Sequence, residues 1–239
     1  RLTFAPKSSV KRYYQIIHRY SSALAFLADF SMITLGGDLK RKEKLSARLG
    51  DLLSYLYLAS AVLKRFHEDG EPSEDLPLVD WSCQQLFYDC ELSIQGVIAN
   101  FPKRWSRIVL KAIFQPFGPQ RKKPSDKLGQ QLAKLLIQPS ETRSRLTRLV
   151  FKENTANCPL GHLEDVFYQI CAVDALEKKV ARAVKEGLLH SLTLLGRIEE
   201  AIVLGVLSAE EGVQLKAAEL ARQQVIAVDD FSWDELSRS

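Results

Sequence analysis

The chain is poor in the residues that announce chemistry. Its four cysteines, Cys83, Cys90, Cys158 and Cys171, form no C-x-x-C pair and have no histidines at zinc-finger spacing, so no metal is expected. Cys83 and Cys90 stand seven apart on a predicted helix, about 10 Å by helix rise, too far for a disulfide along a continuous helix. Reduced, half-buried thiols are expected, as in a cytoplasmic protein. The four histidines, His18, His67, His162 and His190, sit in no recognisable motif, which predicts helix-end or surface roles. There is no G-x-G-x-x-G, no Walker sequence and no H-x-x-x-H, and that silence argues against an autonomous catalytic domain. Long hydrophobic runs are missing too. The longest apolar segment, residues 23–35, is broken by Asp29 and Ser31 and falls short of the ~20 residues of a bilayer span. The only methionine, Met32, lies inside a helical pattern and the first residue is Arg1, so the chain is expected to be cut from something longer.

What is present is helix. With 239 residues, 46% hydrophobic and 26% charged, the chain has material for one large or two small cores, while period-two alternation of β-branched residues is nearly absent. The reading is all-α: an antiparallel helical bundle over residues 1–115, then a second, smaller helical subdomain over 116–239. After an extended start through Pro6, a helix over residues 9–34 turns Tyr13, Ile16, Ile17, Tyr20, Leu24, Leu27 and Phe30 or Ile33 inward, and Gly36-Gly37 ends it. A second helix over 38–68 repeats Leu45, Leu49, Leu52, Leu53, Leu56 and Leu63 at helical spacing behind a basic entrance of Lys40, Arg41, Lys42, Lys44 and Arg48. The polar run HEDGEPSEDLP makes a turn. A third helix over 78–99 buries Leu86, Phe87, Cys90, Ile94 and Val97 or Ile98, and a fourth starts after Pro102. The stretch QPFGPQRKKP between Gln115 and Pro124 cannot be regular helix and marks the boundary. Beyond it, Ser125 and Ser140 are candidate caps, and Asp174–Glu177 and Ser208–Glu211 have capping-box spacing. These predict helices over 174–186 and 209–224, with another over 192–207 between them. The acidic tail VDDFSWDELSRS carries Phe231 and Trp233. The carboxylate pairs Glu164-Asp165, Glu199-Glu200 and Glu210-Glu211 are adjacent in sequence, splay apart on a helix and read as solvated faces.

One local constellation stands out. Between Phe101 and Gln130, Lys103, Arg104, Arg107, Lys111, Arg121, Lys122, Lys123 and Lys127 face Asp126 alone, while the whole chain is only +4. Arg104, Arg107 and Lys111 share one predicted face, Trp105, Ile108, Val109, Ala112 and Ile113 the other, and Phe114 and Phe117 follow. A cationic amphipathic helix with aromatics at its end suits an anionic membrane surface, where each Lys or Arg gains about 1 kcal/mol. The same pattern also fits a helix that packs Trp105 and Ile108 on its own bundle and solvates its charges. The charge would serve coenzyme A phosphates as well, although only Gly118 is nearby to help cradle them. Nucleic acid is the weaker partner, since no reading helix can be identified.

The stretch GGDLKRKEKLSARLGDLLSYLYLASAVLKR at residues 36–65, NFPKRW at 100–105, PSDKLGQQLAKLLIQPSETRSRL at 124–146, NCPLGHLEDVF at 157–167 and VDDF at 228–231 together resemble the C-terminal domain of bacterial FadE-type fatty acyl-coenzyme A dehydrogenases. The resemblance runs through nearly the whole chain. It implies a parent enzyme that oxidises acyl-coenzyme A to the trans-2-enoyl thioester with flavin adenine dinucleotide, its core and its catalytic glutamate lying before Arg1. No catalytic residue is carried over to this chain, and no flavin is expected on it alone. The resemblance further implies an upstream core of the same polypeptide, a homodimer partner, and attachment to the inner face of the cell membrane. A direct contribution to acyl-coenzyme A or flavin binding across a subunit interface is the alternative.

Overall fold

Residues 10–153 and 158–228 are those that the computed structural model describes, and every regular element in them is helical. The extended start through Pro6 and the tail with Phe231 and Trp233 lie outside the described residues. The all-α expectation holds, with nine α-helices and no strand among the described residues. Contacts group into two units, Arg1–Ile137 and Gln138–Ser239.

In the first unit, α1 (Lys11–Leu35) gives Ile16, Tyr20, Ala23, Leu27 and Ser31 to the core, a repeat of three or four residues that keeps one stripe inward. Between the two candidates for its last inward position the structure chooses Phe30, which is half-buried, and leaves Ile33 exposed. Gly36 ends α1 with φ of 53°, the left-handed geometry for which glycine lacks the steric penalty. A 3₁₀ turn (Gly36–Arg41) then precedes α2 (Glu43–Glu68), so the second helix starts later than residue 38. Leu45, Leu52, Leu56, Ala59 and Leu63 of α2 pack on Val79, Cys83, Phe87, Cys90, Ile94 and Val97 of α3 (Leu76–Asn100).

Two long-range hydrogen bonds fix the directions of these helices. The Tyr13 hydroxyl donates to Asp80 Oδ1 at 2.6 Å where α1 and α3 begin, and Lys103 Nζ donates to the Thr34 carbonyl at 2.9 Å where they end. α1 and α3 therefore run the same way and α2 returns between them. At one crossing, the Arg48 side chain lies so flat on Gly96 that a Cβ there would come within 2.8 Å of Arg48 Cδ.

α4 (Arg104–Phe114) folds back beside α3, and α5 (Asp126–Leu136), capped by Ser125, lies along α3 as well. The irregular stretch between them is tied down by Glu91 of α3, whose carboxylate accepts the backbone N–H groups of Gln120 at 2.8 Å and Arg121 at 2.5 Å. That tie places residues 115–124 inside the first unit, and the division of the chain falls after Ile137.

The second unit begins with α6 (Glu141–Thr147), capped by Ser140, and α7 (Pro159–Lys185). α7 corrects the helix expected to start at Asp174. It begins fifteen residues earlier, with Pro159 in its first turn and the Cys158 sulfur accepting from the Gly161 amide, and Asp174 sits mid-helix paired to Lys178 at 2.5 Å. Capping-box spacing there is a coincidence of composition, because a helical interior satisfies its own amides. α8 (Leu194–Val203), capped by Thr193, and α9 (Ala209–Ile226) close a core of Val173, Val180, Ala183, Ile198, Leu207 and Leu215. Ser208 and Glu211 form the full capping box expected of them.

Candidate functional site at the basic end of the first bundle

The up-down-up order brings four chain segments to one end of the first unit: the end of α1, the start of α2, the end of α3 and the start of α4. The last turns of α1 and α3 carry no cation, but the chain that follows each of them does: Lys40 and Arg41 after α1, and Lys103 and Arg104 after α3. Arg41, Lys42, Lys44 and Arg48 line one depression together with Asn100 and Pro102, and Lys103 and Arg104 follow at once in sequence. The basic entrance of the second helix and the basic fourth helix, far apart in sequence, thus belong to one surface.

Partners separate these cations. Arg41 pairs with Asp38 at 2.8 Å, Lys103 holds the last turn of α1 by its carbonyl, and Arg107 Nε donates to the Phe101 carbonyl at 2.6 Å, which seats α4. Lys42, Lys44, Arg104 and Lys111 form no ion pair among the described residues and are exposed. They are available to an external anion.

Apolar groups stand beside the charges. Trp105, 54% exposed, meets Phe30 edge-on with centroids 5.9 Å apart, and Phe30 in turn meets Phe101 at 5.5 Å. Ile33 and Ile108 are 86% and 71% exposed. Of the expected apolar face of α4, Trp105, Ile108, Val109 and Ile113 are exposed. Ile108 lies within one turn of Trp105 and Ala112 as well as of Arg104 and Lys111, at the border of the two faces, while the side that α4 buries is Ser106 and Leu110. Trp105 packs partly on α1, and Ile108 stays mostly exposed.

The remaining residues of the expected site lie elsewhere on the unit. Phe114 packs edge-on against Phe26 at 5.6 Å, and Phe117 is exposed. Lys123 stands over the Tyr88 ring, 5.5 Å from its centroid, Arg121 is held by Glu91, and Lys122 is exposed. Phe114, Arg121 and Lys123 thus pack along the bundle's flank, Lys103, Arg104 and Trp105 stand at its basic end, and Arg107 and Lys111 follow one and two turns along α4. Sequence reasoning missed Lys42, Lys44 and Arg48 as members of this surface. Their signal was present in the basic entrance of α2, but joining it to α4 requires the direction of each helix.

Residues Lys11–Arg41, a longer stretch than the apolar segment 23–35, are long and apolar enough to cross a membrane by length and composition alone. In this fold α1 is one wall of the bundle, with its inner stripe in the core and Phe26, Met32 and Ile33 exposed on its outer side.

Carboxylates expected to be solvated are put to structural use in the second unit. Glu164 is buried, where desolvation alone would raise its pKa, but hydrogen bonds from Arg143 at 2.5 Å and Lys152 at 3.3 Å prevail and lower it. Glu200 accepts the backbone amides of His190 and Ser191, and those two hydrogen bonds lower its pKa. Helical splay sends one carboxylate of a pair outward and its neighbour toward the fold, which is the physical reason the solvated reading fails at Glu164. Among the described residues no cluster of His, Cys, Asp or Glu is arranged to hold a metal ion.

Two helical units with a cationic end and no ligand cluster among the described residues define an all-α module. The family described as acyl-CoA dehydrogenase, C-terminal, bacterial type matches residues 1–231, and the chain belongs to it. No solved structure matches the chain. Membership implies flavin adenine dinucleotide in the parent enzyme. The residues present do not fit that group: among the described residues the most enclosed cleft, between α1, α3 and α4, holds only about 270 Å³, and the larger depressions of about 380–440 Å³ are more open to solvent and have no glycine-rich turn after a strand to cradle a pyrophosphate.

Proposed function

We propose that this chain is the non-catalytic helical module of a flavin-dependent fatty acyl-coenzyme A dehydrogenase of β-oxidation. The basic end of its first unit rests on the anionic inner face of the cell membrane. The observation that carries the reading is that Lys42 and Lys44 line a depression with Asn100 and Pro102, just before the start of α4, where Arg104 and, two turns on, Lys111 stand beside exposed Trp105 and Ile108. None of these four cations has an ion-pair partner among the described residues. Charge draws such a surface to anionic lipid, and the indole and isoleucine enter the boundary between headgroups and chains.

Support of subunit association is the second part of the proposal. It rests on the outer side of α2, where Leu53, Tyr57 and Leu58 are 59%, 73% and 48% exposed, an apolar face that suits the upstream core or a second copy. The alternative, direct contact with acyl-coenzyme A across a subunit interface, draws on the same depression between Arg41 and Arg48, because phosphates seek the same cations.

Co-sedimentation with vesicles of phosphatidylglycerol and phosphatidylcholine tests the membrane role. Replacing Lys44, Arg104 and Lys111 by glutamine is expected to weaken binding by about two orders of magnitude, at about 1 kcal/mol per cation, with the helix content unchanged. Binding that survives the triple substitution overturns the membrane role. Binding to coenzyme A but not to vesicles favours the alternative.

A further inference from the structure

The cleft between α1, α3 and α4 lies on the flank of the first unit and plays no part in the proposal above. Its lining is divided. Phe26, Ile94, Ile113 and Phe114 supply an apolar wall, and Arg19 and Arg121 supply two guanidinium groups at its edge. The acidic side chain of the cleft, Glu91, is already engaged by the Gln120 and Arg121 amides, so its oxygens are committed to the fold.

Two polar groups in the lining lack partners. Arg19 makes no ion pair among the described residues. Gln115, only 9% exposed, has a buried amide nitrogen with no hydrogen-bond acceptor, an uncommon state for a buried donor. Arg121 is positioned independently, because its backbone amide is held by Glu91. Cations and an unmatched donor beside hydrocarbon are complementary to an oxyanion on an aliphatic tail.

We infer that this cleft binds an aliphatic anion, its charged oxygens between Arg19 and Arg121 with one turned to the Gln115 amide, and its first carbons against Phe26, Ile94 and Ile113. A volume of about 270 Å³ takes the head and the near part of a chain, and its open side lets a longer tail leave. The charge selects the head. The apolar wall makes a tail obligatory, so small anions without one do not stay.

Titration of the full chain followed by NMR of its isoleucine methyl groups tests this with octanoate and octyl phosphate as the two sources of the head. Acetate, inorganic phosphate and octylamine are the controls. Saturable shifts at Ile94 and Ile113 are expected with one or both octyl anions and with none of the controls. The octyl anion that binds more tightly identifies the head. Arg19→Gln with Arg121→Gln is expected to weaken binding about tenfold or more, the equivalent of one lost charge-assisted hydrogen bond. Ile113→Trp fills the cleft from a position 51% exposed, so it is expected to leave the fold intact and abolish binding. No saturable shift with either octyl anion, equal binding of octylamine, or binding unaffected by both variants overturns the inference.

Discussion

The two units differ in which of their groups have shifted pKa values, although Glu91 of the first also holds two backbone amides, as Glu200 of the second does. The first hides weak acids in hydrocarbon: burial raises the pKa of Tyr13, Tyr14, Tyr20 and Tyr55, and it pushes the Cys83 and Cys90 thiols up to about 12. The second holds carboxylates against donors: Glu164 between Arg143 and Lys152, Glu200 on two amides, and Glu211 on Lys179 and the Ser208 amide, all with lowered pKa values. Cys171, raised by burial, is the exception there. The difference follows from helix lengths and stripes. Long apolar stripes on α1, α2 and α3 share one core, whereas α8 and α9 are shorter and are fastened to their neighbours by Lys216–Glu199 at 2.9 Å, Lys179–Glu211 at 2.5 Å and Arg222–Glu177 at 3.4 Å. Exposed pairs of this kind contribute little singly.

The largest test of that contrast removes core volume. Phe87, 2% exposed and ringed by Tyr13 and Tyr20, is expected to cost about 3–5 kcal/mol as Phe87→Ala, read as loss of methyl NMR signals from the first unit ahead of the second on denaturant titration. The second unit has a different weak point. A Cβ on Gly161 would lie 2.2 Å from the Glu153 carbonyl oxygen, so Gly161→Ala forces the backbone apart and is expected to cost about 3 kcal/mol, appearing first in the signals of Val173 and Val180. If either substitution melts both units together, they are one cooperative body and the contrast fails.

The smaller effect is pH. A depressed carboxylate pKa contributes stability that is present above the unfolded value, near 4.5, and lost as pH falls through the folded value, so acid is expected to loosen the second unit first. A raised thiol or phenol pKa works at the other end. Its contribution is whole below the unfolded value, 9.0 for the thiols, and is lost as pH rises through about 12, so alkali is expected to loosen the first unit first. Methyl signals of Leu52 and Val97 against those of Val180 and Leu215, followed from acid to alkali, read both limits. The reverse order at either limit contradicts the assignment.

Helix class, the Gly36 stop and the caps at Ser125, Ser140 and Ser208 were legible because each rests on local chemistry within four residues. The start of α7 was not. Its cap is a cysteine sulfur, a poor acceptor without a sequence signature, and the Asp174–Glu177 spacing offered a better-looking start inside the helix. The candidate surface was half legible. Spacing along α4 identified Arg104 and Lys111, but Lys42 and Lys44 come to the same end of the bundle only through the antiparallel return of α2, and the pattern could not show that burial on α4 takes only a narrow arc at Ser106 and Leu110. That residues 115–137 belong with the first unit rests on Glu91, one carboxylate capturing two amides some thirty residues away, and on the packing of α5 against α3, neither of which a local pattern announces.

Trp105 tests the membrane-facing role of the basic end most directly. With Trp81→Phe and Trp233→Phe it becomes the sole tryptophan, and vesicles carrying brominated acyl chains report its depth. The account predicts quenching of Trp105 by anionic vesicles, reversed by salt and absent with neutral lipid. Salt-reversible binding that leaves Trp105 unquenched would contradict it, since the chain would then be meeting lipid through another face.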